Sequence, residues 1–377
     1  MPNRMRLFTP GPTSVPEDVL IEMARPVFHH RTQAYKDLFS AVNKLLPEVL
    51  QTKNPVVTIA GSGTAAYECA MINTIPQGGK VLALSNGKFA ERWVTIAQRN
   101  KCDVTILKAE YGNAVPPEQV AEALNGKSYD AVTLCHSETS ACTVNDLEKI
   151  AGHVRKTDAI LIVDGITSVG AIPVKPDAWG VDILVTGSQK ALMLPPGLGF
   201  LSVSEKARKK VETVNQPNLY LSLPHYLKSL AANDVPWTPA VTLVRGLHKA
   251  LEIITQEGIE NVWKRTSKLA RATRAAAVAM GLKVFSNNPA DSVTGINYPA
   301  GFDDKTFRGA LRKDFNIHIA AGQGSMEGKI FRISHMGYVD AIDTLGVISA
   351  LEIVLRQQGH TFNFGAGVAA AHQELAK

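Results

Sequence analysis

The chain has 377 residues and a net charge of +6, with 45% hydrophobic and 20% charged residues. This length exceeds one ordinary core, so we expect a domain of roughly 250 residues and a smaller one. The composition is that of a globular protein, and no apolar run approaches the ~20 residues that span a bilayer, which excludes a membrane-embedded protein. Basic residues are dispersed, and the densest basic segment, 264–274, is interpreted as a solvated helix face rather than a nucleic-acid site.

The N-terminal residues and the cysteines indicate the compartment. Residues 1–8 lack the apolar segment of a secretory signal. The cysteines have neither paired nor metal-ligand spacing, so we expect no disulfide framework and no metal site. These four residues are Cys69, Cys102, Cys135 and Cys142. We therefore expect a cytoplasmic protein.

A structured N-terminal arm, residues 1–15, is predicted from the two prolines and the glycine within 9–13. Two helices should follow, at 17–23 and 35–49. Between them lie His29, His30 and Arg31. Adjacent histidines do not have metal-ligand spacing on a helix. The cluster either acts on substrate or consists of satisfied polar residues near a ligand that close the entrance to the site.

A glycine-rich turn joins a predicted strand, 56–60, to a predicted helix, 67–75. The turn at 61–66, Gly-Ser-Gly-Thr-Ala-Ala, exposes backbone N–H groups at a helix N-terminus and is therefore a candidate phosphate cradle. The same pattern occurs in dinucleotide-binding folds. Those folds require an acidic residue at the end of the next strand, and here strand 81–84 is followed by no carboxylate until Glu91, which disfavours a nucleotide.

The alternation of strands and helices then continues and predicts an α/β fold with a mostly parallel sheet. The predicted strands are 103–107, 131–135, 160–163 and 181–185, and the helices are 117–124 and 144–153. Ligands bind at the carboxyl ends of such strands, where 136–140, Asp164 and Lys190 lie. Phe89, in a predicted loop, could stack on a flat ring. Taken singly, Asp164 could be a turn cap and Lys190 a surface charge.

The last third of the chain predicts a smaller α+β domain, giving a large domain at 16–257 and a small one at 258–377. Helices are expected at 241–256, 259–280, 304–315, 339–357 and 364–371, and strands at 283–286, 293–298, 317–320 and 329–334. Arg332 lies within an apolar strand. Its guanidinium needs an anionic partner, either a structural carboxylate or a substrate carboxylate.

One cofactor uses a phosphate cradle, an aromatic platform, a buried carboxylate and an amine together, and that cofactor is pyridoxal 5′-phosphate. Lys190 would form the Schiff base, and Asp164 would keep the pyridinium nitrogen protonated. The order along the chain agrees, because the cradle and platform precede Asp164 and Lys190, and Arg332 follows in the second domain.

The chain resembles the class V (fold type I) pyridoxal-phosphate aminotransferases, specifically the alanine/serine–glyoxylate aminotransferase group. The resemblance runs from Thr9-Pro10-Gly11-Pro12 to Phe331-Arg-Ile-Ser-His-Met-Gly337. Its most specific parts are Asp164-Gly-Ile-Thr-Ser-Val-Gly170 and Thr186-Gly-Ser-Gln-Lys-Ala-Leu-Met-Leu-Pro-Pro-Gly197. It implies a homodimer with sites at the subunit interface.

The resemblance also implies roles for individual residues. The implied cofactor contacts are Ser62, Gly63, Thr64, Phe89, Ser140, Asp164, Gln189, Lys190 and Thr238. Thr238 would reach the phosphate bound by the neighbouring subunit. Some members carry a tyrosine three residues earlier, where this chain has Val235, so one cross-subunit contact is missing. Gly11 and Arg332 would contact the substrate.

The implied reaction moves an amino group from alanine or serine to a 2-oxo acid such as glyoxylate or pyruvate by a ping-pong mechanism. Three alternatives stay open at this point. A cysteine desulfurase needs a nucleophilic cysteine in the small domain, and no cysteine follows Cys142. The donor could instead be 2-aminoethylphosphonate or ureidoglycine. The chain could also be a catalytically silent subunit of another complex.

Overall fold

The computed structural model describes residues 4–214 and 217–377, so residues 1–3 of the predicted arm lie outside the described residues. The helices are α1 (Glu17–Ala24), α2 (Gln33–Leu50), α3 (Gly63–Thr74), α4 (Lys88–Arg99), α5 (Pro117–Leu124), α6 (Leu147–Val154), α7 (Pro176–Trp179), α8 (Glu205–Thr213), α9 (Leu223–Ala231), α10 (Val241–Glu257), α11 (Ile259–Ala279), α12 (Asp304–Phe315), α13 (Ala341–Gln357) and α14 (Ala366–Leu375). The strands are β1 (Arg6–Leu7), β2 (Val56–Ala60), β3 (Lys80–Ser85), β4 (Asp103–Lys108), β5 (Ala131–Cys135), β6 (Ser137–Glu138), β7 (Thr143–Val144), β8 (Ile160–Asp164), β9 (Ile183–Gly187), β10 (Leu198–Val203), β11 (Val293–Asn297), β12 (Ile317–His318), β13 (Ala320–Ala321) and β14 (Ile330–Ser334).

A seven-stranded sheet with the order β2-β10-β9-β8-β5-β3-β4 lies within the predicted large domain. Strand β10 is antiparallel to both of its neighbours, whereas the other pairs are parallel. Every residue of β5, β8 and β9 is buried, because helices cover both faces of the sheet. The predicted α/β class with a mostly parallel sheet is confirmed.

The structure corrects several predicted boundaries. The strand predicted at 181–185 lies two residues further on, at Ile183–Gly187, so Ser188 follows it directly. The helix predicted from 144 begins at Leu147, because the Asp146 side chain accepts a hydrogen bond from the Lys149 amide and caps it. The strand predicted at 283–286 is wrong, because only Val284 forms an isolated bridge there.

In the predicted small domain, an antiparallel sheet, β11-β14-β13, packs with α11 to α14 around a separate apolar core. The N-terminal arm joins this domain, since β1 pairs in parallel with β12 and Phe8 is buried in the same core. Further along the arm, Thr13 donates a hydrogen bond from its hydroxyl to the Lys190 carbonyl, at 2.7 Å. The arm therefore links the small-domain core to the loop that carries Lys190.

We propose that the domains meet at Gly258, which separates α10 from α11. Helix α10 packs against α1 and α2 on the large domain. Among residues 4–214 and 217–377, no helix combines the length and apolar character needed to cross a membrane.

Candidate active site

The ends of neighbouring strands β5, β8 and β9 open into a cavity. Seven of the predicted site residues line this cavity. They are Ser62, Gly63, Thr64, Phe89, Asp164, Gln189 and Lys190. Residues that are separated by more than a hundred positions in the chain therefore meet in one site, because parallel strands end at the same edge of the sheet.

Asp164, the last residue of β8, is only 3% exposed. One carboxylate oxygen accepts the Ile166 amide at 2.8 Å, and the other accepts the Tyr67 hydroxyl. Burial raises the pKa of Asp164 to about 7, although the Ile166 amide and the Lys190 charge act in the opposite direction. The Tyr67 ring stacks on Trp93 at 4.1 Å, which fixes its hydroxyl against Asp164.

Lys190 follows β9 by three residues and is covered by the N-terminal arm. Its amine donates a hydrogen bond to the Pro10 carbonyl. A Cβ atom at Gly11 would lie 2.2 Å from the Lys190 Nζ, so only glycine fits beside the amine. Burial lowers the pKa of Lys190 to about 8, and the Asp164 carboxylate partly offsets this effect. The amine is thus prepared to act as a nucleophile and base near neutral pH.

The predicted phosphate cradle lies at the first turn of α3, which begins at Gly63 rather than at the predicted residue 67. The leading amides of a helix have no partner within the helix and point toward its N-terminal end, where they favour an anion. A Cβ atom at Gly63 would lie 2.3 Å from the Ile166 side chain. Thr64 accepts a hydrogen bond from Arg92 at 3.0 Å.

Phe89 lies in the first turn of α4 and not in the predicted loop. The buried carboxylate of Glu138 holds this turn, because it accepts the amides of Phe89 at 3.0 Å and Ala90 at 2.8 Å. The Ser140 hydroxyl donates to Glu138 at 2.6 Å and accepts the Lys88 amide at 2.8 Å. Ser140 therefore supports α4 and does not line the cavity, in contrast to its predicted place beside the cofactor ring.

Arg332 is buried on β14, where the sequence led us to expect an anionic partner. Its Nε donates to the Ala321 carbonyl at 2.7 Å and its Nη1 to the Thr139 carbonyl at 2.8 Å. It forms no salt bridge within residues 4–214 and 217–377. Neutral carbonyls thus orient the guanidinium, and its charge stays available for a substrate carboxylate. Arg332 does not line the cavity, but Thr139, which holds it, does.

Thr238 and Val235 line a different pocket from Lys190 in this chain. The cluster of His29, His30 and Arg31 lies near that segment, because Arg31 binds Asp234 at 2.8 Å and the Val235 carbonyl at 3.2 Å. The two histidine rings stack at 4.7 Å. One chain therefore does not bring these residues to the cavity, and their role across subunits stays a prediction.

Two further residues of the cavity, Tyr67 and Arg92, were not singled out from the sequence. Both follow a predicted site residue by one helical turn, since Tyr67 is four residues after Gly63 and Arg92 three after Phe89. Helical spacing of three or four residues places such pairs on one face. That spacing would have identified Arg92 only if α4 had been predicted to begin before Phe89.

The cavity fits pyridoxal 5′-phosphate. The Asp164 carboxyl is buried at one side, the Lys190 amine has a lowered pKa, and the N-terminus of α3 supplies amide donors. The Gln189 amide oxygen is buried without a hydrogen-bond partner in the part of the chain that the structure describes. Asp164 would hold the ring nitrogen, Lys190 the aldehyde carbon and 62–64 the phosphate.

The fold and the site define a class of enzyme, and the chain belongs to it. The family Aminotransferase class-V matches residues 7–342. The protein is a transaminase, and its cofactor is pyridoxal 5′-phosphate.

Several known proteins are similar over the whole chain. The soluble hydrogenase 42 kDa subunit of Anabaena cylindrica is 41% identical over 98% of each chain. The L-aspartate–glyoxylate aminotransferase of Paracoccus denitrificans and the serine–glyoxylate aminotransferase of Methylorubrum extorquens are each 36% identical over 99% of this chain and 96% of theirs. The crystal structure of ureidoglycine–glyoxylate aminotransferase from Bacillus subtilis superposes with a TM-score of 0.95, at 29% identity, over 100% of this chain and 99% of that one.

Proposed function

We propose that this aminotransferase moves the amino group of alanine or serine to a 2-oxo acid such as glyoxylate or pyruvate. The observation that carries the proposal is the pairing of a Lys190 amine of lowered pKa with a buried Asp164 in one cavity. Three of the similar proteins are named as glyoxylate aminotransferases, with aspartate, serine or ureidoglycine as donor. Glyoxylate as acceptor is thus supported more strongly than any one donor.

Asp164, Lys190 and Arg332 have separate roles in the proposed reaction. When bound, pyridoxal 5′-phosphate supplies an aldehyde for the substrate amine and a protonated ring that withdraws electrons from the substrate Cα. The Asp164 carboxylate keeps the ring nitrogen protonated. The Lys190 Nζ, with a pKa of about 8, takes the proton from the substrate Cα as general base and would deliver it, as general acid, to the aldehyde carbon of the cofactor. Arg332 binds the substrate α-carboxylate and orients the breaking C–H bond.

One similar protein is named as a hydrogenase subunit, a name that would fit the alternative of a catalytically silent subunit. A chain without catalysis has no reason to keep a buried Asp164 and a buried Arg332, since both cost stability. This chain has both residues together with Lys190. We therefore infer an active enzyme.

We also propose a cytoplasmic homodimer in which Thr238 of one subunit reaches the phosphate held by the other. In a single chain Thr238 lies outside the Lys190 cavity, so a contact with the cofactor requires a second subunit. Large apolar side chains near the N-terminus are exposed in the single chain, such as Ile21 at 61% and Val27 at 70%. Such surfaces are typical of subunit interfaces.

The test is a half-reaction without an acceptor. The cofactor-loaded protein is mixed with L-alanine, L-serine, L-aspartate or ureidoglycine, and the visible absorbance of the lysine-bound cofactor is followed. We expect alanine or serine to bleach the band fastest, and glyoxylate to restore it. Faster bleaching by aspartate or ureidoglycine would reassign the donor. A spectrum that no donor changes would favour a silent subunit.

A further inference from the structure

We propose that Arg92 is a phosphate-binding residue of the cofactor site, acting together with Thr64 as an additional cation and hydroxyl donor. The proposal rests on the cofactor placement given above. It adds to the expected cradle at 62–64 a side chain from a different helix, α4.

Two contacts hold the Arg92 guanidinium at the mouth of the cradle. Its Nη1 donates to the Thr64 hydroxyl at 3.0 Å, and its central carbon lies 5.2 Å from the centre of the Phe89 ring. All three side chains line the cavity that contains Lys190. The guanidinium is therefore positioned between the predicted phosphate cradle and the predicted ring platform.

The Arg92 charge is not neutralised by a carboxylate in the described parts of the chain. Its neighbour Glu91 instead binds Lys88 at 3.3 Å and accepts the Tyr111 hydroxyl at 3.0 Å. Arg92 thus adds a full positive charge to the partial positive charge at the N-terminus of α3. An unpaired cation beside helix amides favours an anion with several acceptor oxygens.

The hydrogen bond to Thr64 also has a direction. Because the Thr64 oxygen accepts from Arg92, its own hydrogen is free to donate to a ligand in the cavity. Arg92 retains four other N–H groups, in a planar arrangement that matches two oxygens of a phosphate. The Thr64 hydroxyl and the Arg92 guanidinium therefore both present hydrogen-bond donors to the cavity, and a phosphate dianion needs donors because its oxygens only accept.

A substrate carboxylate is the other anion that a cationic side chain could bind. Arg332 is already oriented for that role by Thr139, whereas Arg92 is bonded to the cradle. The phosphate is therefore the ligand that the contacts favour.

The test compares two ligands that differ only in the phosphate. The full-length protein is freed of cofactor, and the affinities for pyridoxal 5′-phosphate and for pyridoxal are measured from the visible absorbance of the lysine adduct. For Arg92→Gln we expect roughly 10- to 100-fold weaker binding of the phosphorylated ligand, as for loss of a charged hydrogen bond, and an unchanged affinity for pyridoxal. Arg92→Lys should fall between Arg92→Gln and the wild type, because it keeps the charge but not the planar fork.

Arg99→Gln is the matched control, since Arg99 is exposed on the same helix and does not line the cavity. It should bind both ligands like the wild type. An equal loss for both ligands in Arg92→Gln would show a merely structural role and overturn the proposal. An unchanged affinity of Arg92→Gln for the phosphorylated ligand would also overturn the proposal. If this variant also had a raised KM for a dicarboxylic donor, Arg92 would bind a substrate carboxylate instead. A wild-type protein that binds neither ligand would instead refute the cofactor placement itself.

Discussion

Asp164 and Lys190 line one cavity, and burial moves their pKa values in opposite directions, to about 7 and to about 8. Each residue would lose solvation if it were charged, so the cofactor-free site disfavours both charges. A ligand that brings a cation to Asp164 and an aldehyde to Lys190 removes both unfavourable effects, because the carboxylate gains an opposite charge and the amine reacts in its neutral form. The sequence predicted both residues from their strand ends, but it could not predict Tyr67, whose bond to Asp164 depends on how α3 packs.

The raised pKa of Asp164 has a consequence for stability. The folded pKa of about 7 exceeds the ordinary value of 3.8, so the folded chain binds a proton that the unfolded chain releases. The stability of the cofactor-free protein should therefore fall as pH rises from about 4 to about 7, with no further loss from this group above it. The variant Asp164→Asn should not show this loss of stability, because an amide does not ionise.

We predict that the unfolding free energy of cofactor-free Asp164→Asn, relative to the wild type, increases by about 3 kcal/mol between pH 5 and pH 8. Urea unfolding at the two pH values measures it. A difference that does not change with pH would mean that Asp164 ionises normally. The variant should also bind the cofactor without efficient transamination, because an amide does not keep the ring nitrogen protonated.

The elements differ in how well local sequence specifies them. Helix α12 was predicted to the residue, since Asp303 caps it and accepts the Thr306 amide at 2.8 Å. Strand β5 was equally clear, because four of its five residues are apolar. Helix α4 has no side-chain cap of its own at Gly87. Its first amides bind Glu138, 48 residues after Ala90, and no local pattern reveals such a contact.

We predict that Glu138→Gln destabilises the protein by roughly 1–3 kcal/mol, since one carboxylate oxygen is replaced by an amino group that faces the Ser140 amide and hydroxyl. The near-ultraviolet or visible circular dichroism of the bound cofactor should also change, because the Glu138 side chain that accepts the Phe89 amide is no longer held in place by Ser140. Glu148→Gln is the control, an exposed acid at the first turn of α6, and should stay within about 0.5 kcal/mol of the wild type. Equal stability of the two variants would contradict the role of Glu138.

At the scale of the whole molecule, the sheet order brings the strand ends together and the arm covers them. The sequence predicted the α/β fold with a mostly parallel sheet, because strands and helices alternate along the first part of the chain. It could not predict that β10 runs antiparallel between β2 and β9, or that β1 pairs with β12, 311 positions further along for Arg6 and Ile317. Pairings over such distances depend on the assembled core rather than on local residues.

The proposed dimer makes a prediction about mixed subunits. Lys190→Ala and Thr238→Ala should each lower activity, and a hybrid dimer of the two should contain one intact site if Thr238 acts on the neighbouring subunit. Random reassociation of equal amounts should then restore about a quarter of the wild-type sites. Activity after mixing that equals the mean of the two separate variants would place Thr238 and Lys190 in the same subunit's site.

The most direct measurement of the central claim identifies the lysine that binds the cofactor. Borohydride reduction of the cofactor-loaded protein converts the Schiff base to a stable secondary amine, and mass spectrometry of the digest locates it. We predict a pyridoxyl-phosphate adduct on Lys190, and no visible band or adduct in Lys190→Ala. An adduct on a different lysine, with activity kept in Lys190→Ala, would contradict the assignment.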